Sequence, residues 1–147
     1  MILVSACLIG MRTNFRGESW LREDLLELVK LRKAVPVCPE QLGGLATPRP
    51  PAEISGGDGR DVLNGNARVI RPNGEDVTEQ FLRGAEETLR IAQLVIPDLI
   101  IFKDHSPSCG VTAIYDGTFT QTLRNGIGVT TALLMRHGFK VVPDEVA

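Results

Sequence analysis

Three short apolar runs constrain this chain more than any other feature. Residues 2–6 (ILVSA), 34–38 (AVPVC) and 99–102 (LIIF) are continuous rather than alternating, and they are rich in β-branched side chains. Runs of that kind are strands buried on both faces, as strands of a parallel sheet are. Between them the apolar period changes from strand to helix. Leu21, Leu25, Leu28 and Val29 share one face of a helix over about Leu21 to Arg32. Asp76 with Glu79 reads as a capping box, and Val77, Phe81, Ala85, Leu89 and Ala92 mark a helix that ends near Val95, ahead of Pro97. A last helix over Val129 to Arg136, with Gly138 as its C′ residue, leads into a final strand FKVV.

Strands alternating with helices imply right-handed crossovers and a parallel sheet. The expected fold is therefore a single compact α/β domain over residues 1–147, with a Rossmann-like, mostly parallel sheet flanked by helices. The stretch PEQLGGLATPRPPAEISGGDGRDVLNGN is dense in Gly and Pro, and reads as a long loop carrying at most a small hairpin around Asp61 to Ile70. Ordered loops of that length in compact domains tend to be functional. GGDG, Gly56 to Gly59, lacks a preceding strand and a GKS/T ending, so it reads as a turn and not a phosphate loop.

The formal net charge of −2 gives no attraction for polymeric nucleic acid or an anionic membrane. No apolar run approaches the ~20 residues of a membrane span. The apolar start, MILVSACLIGMR, lacks the basic n-region and cleavage site of a signal peptide, so a cytoplasmic protein is expected.

The three cysteines match neither a disulfide framework nor a zinc ribbon in their spacing. An isolated cysteine is most often a small buried hydrophobe. Yet Cys7, Cys38 and Cys109 each fall at or just beyond the carboxyl end of a different expected strand. Ligands of open α/β sheets bind at that edge, so the three are expected to share a site. A structural zinc would need a fourth ligand, for which only His105 and His137 are available, and His137 suits a helix terminus better. The alternative is an iron–sulfur cluster, and a [4Fe-4S] cluster on three thiolates leaves one iron open.

The stretches SACLIG, VPVCPEQLGGLATPRPPAEI, GGDGRDVL, DVTEQFLRGAE, KDHSPSCG and YDGTF, in this order, resemble the thiouracil desulfidase family over nearly the whole chain. The resemblance implies a [4Fe-4S] cluster held by Cys7, Cys38 and Cys109. It also implies replacement of the sulfur of a thiolated pyrimidine by oxygen, with release of sulfide. The partner would be a small thiolated pyrimidine base, nucleoside or nucleotide.

That chemistry fits the residue types. A soft thiocarbonyl sulfur on an open iron makes the ring carbon more electrophilic, and the attacking water needs a general base. Glu40, two residues after Cys38, is the first choice, and Ser106, three residues before Cys109, is the candidate proton relay. Ser108, Asn14 and Arg49 are the candidate substrate-binding residues, with Ser5 and Arg16 behind them. Backbone N–H groups of the NGIG stretch offer an anion site at the last helix. Two other readings stand beside this one. In the first, a non-catalytic iron–sulfur carrier or zinc-stapled module would have no use for Glu40. In the second, Cys109 is a nucleophile with Glu40 as its base, active without metal.

Overall fold

The computed structural model describes residues 1–146. In chain order its elements are β1 (Ile2–Ser5), α1 (Glu23–Lys30), β2 (Ala34–Val37), α2 (Pro39–Leu42), β3 (Glu53–Ser55), α3 (Gly59–Leu63), β4 (Arg68–Ile70), α4 (Thr78–Val95), β5 (Leu99–Phe102), β6 (Ala113–Tyr115), β7 (Leu123–Asn125), α5 (Val129–Arg136) and β8 (Val141–Pro143). The expected parallel sheet forms from four strands in the order β2-β1-β5-β8. Leu3 pairs with Val35 on one side and Ile100 on the other, and Ile101 pairs with Val142. Pro36, which cannot donate to a ladder, sits in β2 at the sheet edge, where its missing N–H costs nothing.

The continuous apolar runs are explained by the two faces they cover. Leu3, Ile100 and Phe102 pack with Ala92 of α4 and Leu134 of α5, while Val4 and Ile101 pack on the opposite face with Leu25 of α1. Full burial of each such side chain stabilises the fold by about 1.5–3 kcal/mol. Among the described residues no helix is long and apolar enough to cross a membrane.

The middle of the chain holds more structure than its glycines and prolines suggest. Ile54, Val62, Ala67 and Val69 join Val77, Phe81, Ile114 and Val129 in a second core. The hairpin expected at Asp61 to Ile70 is corrected: β4 does pair antiparallel, but with β3, and α3 lies between them. The reason is a reciprocal cap. The Asp58 carboxylate accepts the Arg60 N–H at 2.9 Å and the Asp61 carboxylate accepts the Asp58 N–H at 2.8 Å, which starts a helix directly after the GG turn. The capping box expected at Asp76 and Glu79 does not form. Asp76 instead accepts the Thr78 N–H at 2.9 Å and pairs with Arg68 at 2.7 Å, bracing α4 against β4. A second small hairpin, β6–β7, was not legible at all.

One helix crossing sets the position of the site. Helix α2 meets α4 backbone to backbone: a Cβ on Gly43 would lie 2.0 Å from the Gln80 carbonyl oxygen, and one on Gly84 would lie 2.0 Å from that of Pro39. Only glycine permits that approach, and it brings the residues just after Cys38 down against the longest helix.

Candidate active site

A cavity of about 770 Å³ opens at the carboxyl edge of the sheet, and Cys7, Cys38, Glu40, Arg49, Ser106, Ser108 and Cys109 all line it. The three cysteines, expected to share a site, all face this one cavity. Cys7 lies in the one-turn 3-10 helix that follows β1, and Cys38 is the N-cap of α2. Cys109 is carried on the loop after β5 and is buried, with 6% exposure.

The Cys109 loop is fastened mainly through its backbone. The α5 N-terminus donates Val129 N–H to the Pro107 carbonyl at 2.8 Å, and Thr130 and Thr131 N–H to the Ser108 carbonyl at 2.9 and 3.2 Å. Gly128 N–H donates to the Gly110 carbonyl at 2.9 Å. These bonds correct the expectation of an anion site at NGIG, because the helix terminus is already occupied by the cysteine loop. Asp104 closes the other end. Its Oδ1 accepts the N–H groups of His105, Val111 and Thr112 at 2.8, 2.7 and 3.1 Å, and Oδ2 accepts the Thr112 hydroxyl. Burial alone would raise the Asp104 pKa, but these hydrogen bonds to the ionised form more than offset it, and the net shift is downward.

Glu40 and Ser108 come together across the cavity. Ser108 Oγ donates to Glu40 Oε2 at 2.7 Å, and lies 3.3 Å from Ser106 Oγ and 3.5 Å from Cys109 Sγ. Ser106 Oγ accepts the Cys109 N–H at 2.8 Å. The two serines thus form a hydroxyl chain that ends on the carboxylate, with Ser108 and not Ser106 in contact with Glu40. Arg49 holds the other carboxylate oxygen, Nε to Oε1 at 3.0 Å.

Asn14 Oδ1 accepts the Arg16 and Glu18 N–H groups at 3.0 and 2.7 Å, so its first role is to shape the loop after Cys7. Ser5 does similar work, its hydroxyl accepting the Lys103 N–H at 2.9 Å to tie β1 to the end of β5. Arg16 lies over the Phe15 ring at 5.3 Å. His105 lines the cavity beside Tyr115, whereas His137 caps α5, with Nδ1 3.0 Å from the Leu133 carbonyl. Sequence reasoning missed Asp104 and the β6–β7 hairpin. Glu53 accepts the Gly117 and Phe119 N–H groups at 2.9 and 3.2 Å, and so holds Phe119 and its neighbours along the cavity wall. An acid two residues beyond the apolar LIIF run was the available signal for Asp104.

Burial pushes the Cys7 thiol up to about 12, with Cys38 adding to the rise. Burial likewise raises Cys38, and it raises Cys109, with Glu40, Cys38 and Cys7 adding to the rise at Cys109. Buried thiols with raised pKa values ionise more readily once a positive body such as a metal is beside them. Among the described residues no three His, Cys, Asp or Glu side chains meet around a point suited to one metal ion. A zinc ion would draw thiolates to about 3.8 Å from each other, given Zn–S bonds of about 2.3 Å, whereas a cubane spreads them to roughly 6–7 Å. Thiols alone, with no compact single-ion cage among the described residues, are the donor set of a larger, soft cluster rather than of zinc.

Comparison with known proteins agrees with this chemistry. Protein YbbK of Bacillus subtilis (strain 168) is 48% identical over 145 residues, covering 99% of this chain and 96% of its own. The solved structure of the [4Fe-4S]-dependent thiouracil desulfidase TudS superposes with a TM-score of 0.86 at 40% identity, over 98% of this chain and 90% of that one. The profile of the 2-thiouracil desulfurase family matches residues 2–145. The three cysteines, the acid beside them and the sheet edge that gathers them are thus features of a chain that belongs to the 2-thiouracil desulfurase family.

Proposed function

We propose that this protein is a [4Fe-4S]-dependent desulfidase that converts a thiolated pyrimidine to its oxo form and releases sulfide. The observation that carries the reading is the meeting, in one cavity, of three thiols with the Glu40–Ser108 pair. Cys7, Cys38 and Cys109 would hold the cluster, whose fourth iron supplies an open Lewis-acid position for a soft thiocarbonyl sulfur.

The remaining work falls to the chain's own side chains. Glu40, on the cavity wall beside the three thiols, takes a proton from the attacking water at its carboxylate as general base. The water oxygen bonds to the ring carbon, the C–S bond breaks, and both protons of the water end on sulfide, so no electron is transferred. Ser108 Oγ, bonded to Glu40 and adjacent to Cys109 Sγ, returns the proton to the sulfur side. Ser106 extends that relay and orders the loop by holding the Cys109 N–H. Asn14 lines the same cavity and is proposed to border the bound ring.

Anaerobic reconstitution followed by assay against thiolated uracils, uridines and uridine phosphates tests this. Brown protein, loss of the thione absorbance and one sulfide per oxo product are expected. A full cluster with every thiolated pyrimidine left intact would favour an electron carrier, and turnover by metal-free protein would favour Cys109 as a nucleophile.

A further inference from the structure

Arg49 borders the cavity, yet only 4% of its side chain meets solvent. A guanidinium has five N–H donors in a rigid fork, and here four hydrogen bonds run to protein acceptors. Nε donates to Glu40 Oε1 at 3.0 Å, and Nη1 donates to Thr47 Oγ1 at 2.9 Å and to the Ala46 carbonyl at 3.4 Å. Nη2 donates to the Thr13 carbonyl at 2.9 Å. That same carbonyl faces the Cys38 thiol at 3.8 Å, and the Arg49 backbone N–H donates to the Phe15 carbonyl at 2.8 Å. One side chain therefore joins the loop after Cys7, the loop after α2 and the proposed base.

Glu40 is gripped at both oxygens, by Arg49 on Oε1 and Ser108 on Oε2. Rotation of the carboxylate breaks one bond or the other. A catalytic group has to be held to within about 0.5 Å and 10–20° of its working geometry, and α2, at four residues, is too short to provide that alone. A lysine, with a single point charge on a flexible stem, cannot serve Glu40, Thr47 and Thr13 together.

We propose that Arg49 is a positioning residue for the desulfuration reaction: it acts through Glu40, fixing the carboxylate, and is not a ligand of the substrate. The proposal rests on the reading of Glu40 as the base. Its test is a cycle of Arg49→Gln, Glu40→Gln and the double variant, each reconstituted and checked for iron and sulfide, with Arg49→Lys as the milder change. Arg49→Gln is expected to keep its cluster and its KM while kcat falls about 10–100-fold, the usual cost of removing a group that orients a working residue. The double variant is expected to be no slower than Glu40→Gln alone, since a residue acting only through Glu40 has nothing left to position. Arg49→Lys should fall between parent and Arg49→Gln.

A raised KM with kcat preserved makes Arg49 a substrate ligand and overturns the proposal. Additive losses in the double variant overturn it too, and so does loss of the cluster from both Arg49 variants. Should the loaded parent protein turn over no thiolated pyrimidine, the desulfidase reading fails on its own, and an infrared measurement then decides the Arg49 proposal. The carboxylate stretch that disappears in Glu40→Gln should shift in Arg49→Gln; an unmoved band overturns the proposal.

Discussion

The two walls of the cavity are built on different principles. The Cys109 wall is backbone held by backbone, with the carbonyls of Pro107, Ser108 and Gly110 locked onto the first turn of α5 and Asp104 gathering the amides around it. The wall of Cys7 and Cys38 is assembled from separate loops, and side chains join them, above all Arg49. The exposure follows the construction: Cys109 is buried, and the other two cysteines are half-buried. The contrast teaches that one wall is fixed by backbone bonds and the other by side-chain links, each of which a single substitution removes. A backbone-bonded loop moves only if a helix moves, whereas side-chain links can be retuned one at a time.

Substitutions at Cys109 and Glu40 probe the two walls most forcefully. Cys109→Ser removes the thiol proposed to anchor the cluster on the backbone-held wall, and should leave the reconstituted protein without bound iron or sulfide and without turnover. If Cys109→Ser keeps a full cluster, Cys109 is only a packed hydrophobe and the contrast collapses. Glu40→Gln acts on the side-chain-linked wall. It should retain iron, sulfide and thione binding while turnover drops about 10²–10⁴-fold; turnover at the parent rate would mean that the base lies elsewhere.

A matched pair of alanines measures rigidity directly. A Cβ on Gly128 would sit 2.4 Å from the Ser108 carbonyl carbon, so Gly128→Ala should destabilise by about 1–3 kcal/mol in denaturant unfolding and disturb cluster loading. On the opposite wall, Gly17→Ala meets nothing closer than 3.9 Å and bears only the strain of φ +73°, about 1 kcal/mol, with loading intact. Equal effects on loading would erase the distinction. The smallest effect is expected from acid. Asp104 has its folded pKa held below 3.8, so its contribution is present above that value and is lost as the pH falls further. Parent protein should lose more stability than Asp104→Asn over that acid window, as judged by unfolding midpoints.

What the sequence disclosed, and what it hid, divides along similar lines. The sheet was legible because Leu3, Val4, Ile100 and Ile101 are buried on both faces and cannot be polar. The three cysteines were legible because each follows such a strand. The middle segment was not, because its helix α3 is specified by two aspartates, Asp58 and Asp61, whose reciprocal bonds leave no apolar period to read. Strand β7 is exposed at all three residues and carries no alternation. Ser106 and Ser108 were both candidates, but which one meets Glu40 depends on how the loop turns after Pro107, and that is fixed by α5, twenty residues on.

The crossing of α2 over α4 bears on how this chain tolerates change. Gly84 stands inside an eighteen-residue helix, where it costs about 1 kcal/mol relative to alanine. Its counterpart Gly43 touches the same crossing from the other side, and neither glycine lines the cavity. In a library that samples every substitution at every position, both should nonetheless be as intolerant as the cysteines. Adding a methyl group at either one lifts Cys38 and Glu40 away from the opposite wall. A mutational map of this protein would thus show two intolerant positions that do not line the cavity, and double replacement would deepen the defect rather than repair it, since both added groups demand the same space.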